Sequence, residues 1–230
     1  MVSKKLMGVW AFVDFCLLVA GVISIAVSIV WKAPNLLLNM VFSKGDLTAG
    51  TVLGVALLIT FAFSIGAIVQ RNHVTIGLVI LNWILVLDAI GIAVIGTFVW
   101  AYTLQERANY HEVFVNEDNS TIIAIQDKLS CCGYFNGSDR LVLGGSFCQN
   151  QTFVDSFLQF DNTTMTWTGA CVAPITAFAD STLNNVFTSV YGFMAVVICL
   201  FLGSLCVIKK RQEEERFSKI DAKRGGRGFV

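Results

Sequence analysis

The stretch VTIGLVILNWILVLDAIGIAVIGTFVW occupies residues Val74–Trp100, and Asp88 is its only charged side chain. A helix needs roughly 20 mostly apolar residues to cross about 30 Å of hydrocarbon, and this stretch exceeds that length. Between Leu78 and Leu87, apolar and polar residues do not alternate as a membrane β-strand would require. The stretch therefore predicts a membrane-spanning helix, in which the backbone polar groups pair internally.

Three further stretches meet the same requirement, namely Leu6–Val30, Leu47–Gln70 and Val186–Ile208. Across the chain 55% of residues are hydrophobic and 14% are charged, whereas a soluble domain carries roughly 25% charged residues. We therefore expect an all-α integral membrane protein built on a four-helix transmembrane bundle. The first span is interpreted as an uncleaved signal-anchor, because no small-x-small cleavage site follows it.

Charge assigns the connecting segments to two sides of the membrane. Sixteen basic and sixteen acidic residues cancel, which removes any whole-chain argument for nucleic acid as a partner. Eleven of the basic residues fall in the N-terminus 1–5, the short turn 71–73 and the tail 209–230. Because cytoplasmic segments carry the excess of Lys and Arg, both termini are expected in the cytoplasm, at the plasma membrane or an endomembrane. Residues 31–46 and 101–185 then form a small and a large extracellular loop.

Four N-glycosylation sequons agree with this orientation, since an acceptor asparagine must face the secretory lumen. All of them lie in the large loop, at Asn119, Asn136, Asn150 and Asn162. A single sequon is a weak motif, so the argument rests on their joint placement. The sequence predicts a glycoprotein.

Four of the seven cysteines also lie in the large loop, at Cys131, Cys132, Cys148 and Cys171. An even number of cysteines in an oxidising compartment is typical of structural disulfides. A disulfide between adjacent cysteines strains the intervening peptide, so Cys131 and Cys132 are expected to have different partners, and both remaining pairings stay open. A metal site is the rival interpretation, but no Cys-x-x-Cys spacing occurs and His111 is the only nearby histidine. We expect disulfides and no metal.

The same loop is predicted to be mainly helical. Thr121–Ser130 carries an apolar helical stripe, and Gly133 suits a left-handed exit from that helix. Tyr102–Val115 continues the third span, Ile175–Asn185 leads into the fourth, and Thr152–Phe160 fits a short capped helix. Large aromatics lie in the middle of the loop. They form either its core, which we favour with one or two rings left exposed for contact, or an exposed binding patch: Phe135, Phe147, Phe153, Phe157, Phe160 and Trp167.

The whole chain resembles the tetraspanin family. The resemblance rests on four spans, a small and then a large outer loop, and Cys131-Cys132-Gly133 followed by two further cysteines before the fourth span. Asp14, Asp88 and the run Gln70-Arg71-Asn72 also stand where the family places polar residues. The Cys-Cys-Gly-Tyr-Phe-Asn run and the short tail are most similar to fungal tetraspanins linked to infection-structure penetration.

The resemblance implies that Cys131 pairs with Cys171 and Cys132 with Cys148. Cys148 departs from the family pattern, since Gly145-Ser146-Phe147 precedes it instead of Pro-x-Ser. The juxtamembrane cysteines that family members palmitoylate are nearly absent, which leaves Cys206 as the acylation candidate.

Asp14, Asn82 and Asp88 are the polar residues that lipid should tolerate least. A carboxylate at mid-membrane costs several kcal/mol on insertion scales, so these side chains are expected to face the bundle interior. The simplest interpretation is hydrogen bonding between helices, worth about 0.6 kcal/mol per bond. The resemblance implies instead a lipid pocket that binds a sterol hydroxyl, and proton-coupled transport is a third hypothesis.

Function is expected to be non-enzymatic, because no nucleophile motif, metal spacing or phosphate loop occurs, and His73 and His111 stand alone. The resemblance implies a scaffold that clusters partner membrane proteins in microdomains through its large loop and spans. A second copy of the chain is another candidate partner, and sterol or another lipid is the only candidate cofactor. The alternative is a channel or transporter subunit that uses Asp14 and Asp88. Small-residue stripes such as Gly50 and Gly54 favour close helix packing, and the charged tail 209–230 is predicted to be disordered.

Overall fold

The computed structural model describes residues 4–69, 75–162 and 166–223. The fold is mostly helical, at 78%, and four of its helices are long and apolar enough to cross a membrane. The fold is that of an all-α membrane protein with one small β-hairpin. In chain order the helices are α1 (Lys4–Val30), α2 (Leu38–Val41), α3 (Lys44–Val69), α4 (Ile76–Thr103), α5 (Glu106–Asn116), α6 (Asn119–Leu129), α7 (Gln151–Phe157) and α8 (Val172–Lys223).

The chain folds as two compact units. The apolar unit comprises residues Met1–Ile29, Thr48–Gly96 and Ser189–Val230, and the disulfide unit comprises Val30–Leu47 and Thr97–Thr188. The four predicted spans correspond to α1, α3, α4 and the middle of α8. The predicted inner turn at 71–73, with His73, lies outside the described residues.

Small residues bring α1 and α3 together in the apolar unit. The Ser24 hydroxyl donates to the Gly50 carbonyl at 2.9 Å. At Gly54 an added Cβ would lie 2.6 Å from Ile25 Cγ1 and 2.9 Å from the Gly21 carbonyl oxygen. The predicted Gly50–Gly54 stripe is therefore a site of close helix contact, as small residues allow.

The other helix pairs of this unit are joined through polar groups and rings. Thr60 on α3 donates to Asp88 on α4 at 2.6 Å. The α4–α8 contact includes a hydrogen bond from Ser204 to Asn82. An added Cβ at Gly203 on α8 would lie 3.5 Å from the Trp10 ring on α1. The helices thus contact one another in the order α1, α3, α4, α8 and back to α1.

We expect Gly54→Val to weaken the apolar unit by about 1–3 kcal/mol, because its Cβ would overlap a neighbouring backbone oxygen that cannot rotate away. The measurement is the thermal unfolding temperature of the full chain in mild detergent. Gly66→Val is the matched control on the same helix, because an added Cβ at Gly66 meets no atom within 4 Å. Equal unfolding temperatures for the two variants would contradict the prediction.

The core of the disulfide unit lies where α2, α5, α6 and the first turns of α8 meet. Its largest fully buried side chains come from α5 and α6 and from the segment after the vicinal cysteines. They are Tyr110, Phe114, Ile122, Ile125 and Tyr134, and Met40, Val41, Ile175, Ala179 and both disulfides pack with them. This core lets a short, loop-rich unit bury enough apolar surface to fold.

Two helix boundaries and one hairpin differ from the sequence predictions. The helix that continues the third span is interrupted after Thr103 and resumes at Glu106 as α5. The left-handed residue that ends α6 is Ser130, with φ 52°, and not Gly133. Residues Gln159–Asp161 and Thr166–Thr168 form an unpredicted antiparallel hairpin, β1 and β2, in which Phe160 pairs with Trp167.

The prediction of a disordered tail was wrong as far as the structure describes that segment, because α8 continues to Lys223. Its charges are spaced so that opposite signs meet along one helix, as in Lys210–Glu213 at 3.2 Å and Lys219–Glu215 at 2.6 Å. Such pairs stabilise an exposed helix by about 0.2–0.5 kcal/mol each. The last residues, 224–230, lie outside the described part.

Candidate functional sites

The two disulfides join the vicinal cysteines to two later segments of the unit, one directly before α8 and one shortly before α7. Cys131 is bonded to Cys171 and Cys132 to Cys148, which are the pairs that the resemblance implies. Backbone hydrogen bonds run alongside them, from Cys132 N to the Gly169 carbonyl at 3.1 Å and from Cys171 N to the Gly133 carbonyl at 2.9 Å. The disulfides and these backbone hydrogen bonds together hold both ends of the segment between Cys132 and Cys171 in place.

Gly133 occupies a tight turn next to the vicinal cysteines. Its φ is +65°, and an added Cβ would lie 2.1 Å from the Asn136 carbonyl oxygen. The turn is closed by Asp139, whose carbonyl accepts from Tyr134 N at 2.9 Å and whose carboxylate accepts from Phe135 N at 3.1 Å. Only glycine fits this position, since it has no side chain and adopts positive φ freely.

His111 lies beside this turn, and its contacts are those of a side chain that stabilises the fold. Its Nε2 is 3.0 Å from Asp139 Oδ1, and its ring contacts those of Tyr134 and Phe135, with centroids 5.0 Å away in each case. Among the described residues no group of three or more His, Cys, Asp or Glu side chains can hold a metal ion. His111 thus orders the turn together with Asp139.

Asp127 holds the segment that leads into Cys148. Its carboxylate accepts from Ser146 N at 3.0 Å and from Phe147 N at 2.8 Å. These backbone hydrogen bonds lower the pKa of Asp127 below its usual 3.8, because they stabilise the ionised form.

A depressed pKa predicts acid lability of this segment. The ionised carboxylate contributes stability above the unfolded-state pKa, and that contribution is lost as pH falls through the folded-state pKa. We expect amide exchange at Ser146 and Phe147 to rise in the wild type as pH falls below the usual carboxyl pKa of 3.8, and to vary much less in Asp127→Asn. The same pH dependence in both proteins would show that another group controls the segment. Asp155→Asn, at an exposed carboxylate on α7, is the control.

Arg140 connects three groups in the turn between α5 and α6. Its guanidinium donates to the Val115 carbonyl at 3.0 Å, to the Glu117 carbonyl at 3.0 Å and to Asn119 Oδ1 at 3.1 Å. Arg140 itself has a φ of 52°. A planar guanidinium presents several donors in fixed directions, so one side chain satisfies three acceptors.

The glycosylation candidates are distributed over the disulfide unit. Asn119, Asn150 and Asn162 are exposed and Asn136 is half-buried. Asn150 also caps α7, where its side chain accepts from Phe153 N at 2.8 Å. The hydroxyl residue of the Asn162 sequon lies outside the described residues, and all four sites stay predictions.

Several aromatic side chains of this unit face outward instead of filling its core. The exposed fractions are 39% for Phe135, 37% for Phe153, 46% for Phe160 and 38% for Trp167. The sequence predicted that most of the six aromatics would pack in the core and that one or two would be exposed. Four are exposed, and Phe147 and Phe157 pack against the core. Phe153 and Phe157 stack with ring centroids 5.7 Å apart, and Phe160 meets Trp167 edge-on at 5.4 Å.

The three intramembrane polar residues each contact a different neighbour. Asp88 is bound by Thr60, and Asn82 by Ser204. Asp14 is only 4% exposed and faces the Ser64 side chain on α3. Ser64 is within hydrogen-bonding range of Asp14, whereas the buried atoms Trp10 Nε1 and Asp14 Oδ1 have no further hydrogen-bond partner among the described residues.

Three cysteines remain free thiols. Cys199 and Cys206 are exposed on α8, and Cys16 is half-buried on α1. Cys206, the candidate for S-acylation, has an exposed side chain and lies three residues before Lys209.

Comparison with known proteins adds no assignment. No family model, curated protein or solved structure matches this chain.

Proposed function

We propose that this chain is a non-enzymatic membrane scaffold of the tetraspanin type, which binds partner membrane proteins laterally and clusters them. The observation that carries the proposal is the set of four outward-facing aromatics on a unit held by two disulfides. Exposed aromatics on a rigid frame are typical of protein-binding surfaces, where Trp, Tyr and Phe are enriched.

The hairpin supplies the best-defined part of this surface. Phe160 and Trp167 are paired across β1 and β2, so their rings are held together before any partner arrives. An added Cβ at Gly169, just after β2, would lie 2.4 Å from the Phe157 ring, which shows how closely the hairpin approaches α7. Rings that are ordered in advance lose less entropy on binding.

The contacts of the polar side chains in the apolar unit favour a role in helix packing over a role in transport. Asp88 is engaged by Thr60 and Asn82 by Ser204, which is the pattern of hydrogen bonds between helices in a membrane. These contacts favour the scaffold over the channel or transporter that uses Asp14 and Asp88. The proposal includes the orientation inferred from charge, with both termini in the cytoplasm, glycans on the disulfide unit and S-acylation at Cys206.

The test is covalent capture of membrane neighbours in mild detergent by the full chain. A double variant, Phe160→Ser with Trp167→Ser, should lose the proteins that the wild type captures reproducibly. Leu143→Ser is the matched control, because Leu143 is 41% exposed in the same unit and is not aromatic. An unchanged set of captured proteins in the double variant would refute recognition through the hairpin, and an empty set for the wild type would refute the scaffold itself.

Sterol binding is the part of the proposal that concerns lipid. Asp14 and Ser64 lie within hydrogen-bonding range of each other, and the buried Asp14 Oδ1 and Trp10 Nε1 have no further partner among the described residues, which supports a site that a hydroxyl group can join as both donor and acceptor. A photoreactive sterol should label the wild type and lose most of that labelling in Asp14→Leu. Asp88→Leu should change labelling little, because Thr60 already occupies the Asp88 carboxylate. Labelling that persists in Asp14→Leu would place the sterol elsewhere.

A further inference from the structure

A short non-helical connection, residues 104 and 105, joins α4 to α5 inside the disulfide unit. Its amides donate three residues back, from Leu104 N to the Ala101 carbonyl at 3.3 Å and from Gln105 N to the Tyr102 carbonyl at 3.4 Å. Gln105 lies outside the helical region, with φ -124° and ψ 26°, and its side chain makes no capping hydrogen bond to α5. A change in a few dihedral angles of such a connection alters the direction of one helix without breaking either. The connection is therefore a candidate hinge.

Two carboxyl groups connect the first turn of α5 to α8. Glu106 lies in that turn, and its carboxyl is within hydrogen-bonding range of Asp180 on α8. The Oε2 atom of Glu106 is buried, whereas Asp180 is exposed to solvent. Two ionised carboxylates repel each other at this range, and a single proton between them turns the repulsion into a hydrogen bond. The contact between α5 and α8 at this point therefore requires a proton.

Tyr110, one turn further along α5, favours opening of the same contact. Its side chain is fully buried, with 0% exposed, and its hydroxyl has no hydrogen-bond partner in the described part of the chain. The neighbouring Tyr134 differs, because its hydroxyl donates to the Arg107 carbonyl at 2.9 Å. A buried hydroxyl without a partner is unfavourable, and water that entered between α5 and α8 would supply one. Part of the cost of opening is thereby offset.

We propose that a proton shared by Glu106 and Asp180 holds the first turn of α5 against α8, and that loss of this proton opens the contact to water while the hinge at residues 104 and 105 absorbs the movement. Tyr110 belongs to the same buried core as Ala179 and Leu183 of α8, so opening hydrates its hydroxyl. Neither disulfide is attached to α5, so both remain intact. The disulfide unit thus has a closed form at low pH and a locally opened form at higher pH.

Glu106 sets the pH at which the contact opens. Burial first, and then the hydrogen bond and charge of Asp180, raise the pKa of Glu106 from 4.5 to about 7, against the opposing charge of Arg107. The other titratable groups beside the pair are tyrosines, which stay neutral in this range: Tyr102, Tyr110 and Tyr134. A raised pKa means that the closed form binds the proton more tightly than an opened, hydrated form does. The stabilisation is therefore present at low pH and is lost as pH rises from 4.5 through about 7.

The test is hydroxyl-radical footprinting of the full chain in mild detergent, read by mass spectrometry at about pH 5.5 and about pH 7.5. Oxidation of the Tyr110 ring should increase about twentyfold at the higher pH, because Glu106 has lost its proton there. Ile125, which is fully buried on α6, is the internal reference for the core and should stay protected at both pH values.

Three variants assign the response to the carboxyl pair. Glu106→Gln cannot ionise and still donates to Asp180, so its Tyr110 oxidation should stay low at both pH values. Asp180→Asn, at an exposed position, should behave in the same way, because its amide donates to Glu106. Glu112→Gln is the matched control, since Glu112 is an exposed carboxyl on the same helix, and it should respond to pH as the wild type does. Intact disulfides and a protected Ile125 verify folding in each variant.

The proposal is overturned if Tyr110 oxidation in the wild type is the same at the two pH values. It is also overturned if Glu106→Gln or Asp180→Asn responds to pH as the wild type does, or if Ile125 becomes oxidised together with Tyr110, since the whole core would then open. In the orientation proposed above, the disulfide unit would meet this range of pH between acidic endocytic compartments and the cell surface. Only that location rests on the proposed function. Footprinting reads single side chains and no captured protein, so its failure is distinct from failure of the scaffold.

Discussion

A chain carrying Cys131→Ser and Cys171→Ser is expected to lose about 4 kcal/mol of folding free energy from its disulfide unit. This cystine joins residues 40 positions apart, and closing a longer segment removes more entropy from the unfolded chain. Both sulfurs are buried in the core, so the substitutions also leave two hydroxyls among apolar groups. Amide hydrogen exchange of α5 and α6 should approach that of an unprotected chain.

Two controls make this prediction specific. Replacing Cys132 and Cys148 by serine should cost about 3 kcal/mol, because that cystine joins residues only 16 apart. Cys199→Ser should change nothing, since Cys199 is a free and exposed thiol. Full protection of α5 and α6 in the chain without the Cys131–Cys171 bond would show that the apolar core alone holds the unit together.

Gly133→Ala is the second substitution with a large expected effect, about 3 kcal/mol. The new Cβ would overlap the Asn136 carbonyl oxygen, and a positive φ is unfavourable for alanine. The turn would have to open, which displaces Cys132 from its partner. We expect a larger fraction of molecules with free thiols at Cys132 and Cys148, measured by alkylation and mass spectrometry.

Gly144→Ala separates the two causes. Gly144 also has a positive φ, of 114°, but an added Cβ there meets no atom within 4 Å. This variant carries backbone strain alone, so its thiols should remain mostly oxidised. If both alanine variants release thiols equally, close approach to the Asn136 carbonyl is not what makes Gly133 necessary.

The four long helices were predictable because lipid imposes one strong requirement, a long apolar run, and each run is plain in the sequence. The helix at Thr121–Ser130 was predictable from its stripe, and the structure places it at Asn119–Leu129. The continuation of α8 to Lys223 was missed. A charged segment was judged by its composition, whereas an existing helix extends at little cost once it has been nucleated.

The hydrogen-bond partners of the polar side chains in the folded protein could not be predicted from the sequence. The patterns singled out Asp14, Asn82 and Asp88 as costly in lipid, but nothing local said that Thr60 and Ser204 would bind two of them. A hydroxyl in an otherwise apolar span is the signal that could have suggested such partners. Glu106 and Asp180 lie within hydrogen-bonding range of each other although they are far apart in the chain, so no local pattern encodes their contact. Phe160 and Trp167 are exposed because they lie in a hairpin. The two strands of that hairpin have only three residues each, which is too short for a recognisable sequence pattern.

The side chain of Asn119 has a consequence for any sugar attached to it. Its amide oxygen is already held by Arg140, and an amide is planar, so the direction of the adjacent nitrogen is fixed as well. A glycan on that nitrogen would start from an immobilised side chain and would cover the same patch of surface beside the α5–α6 turn. Arg140→Lys would release the Asn119 side chain, and the same oligosaccharide would then move over a wider area of the surface.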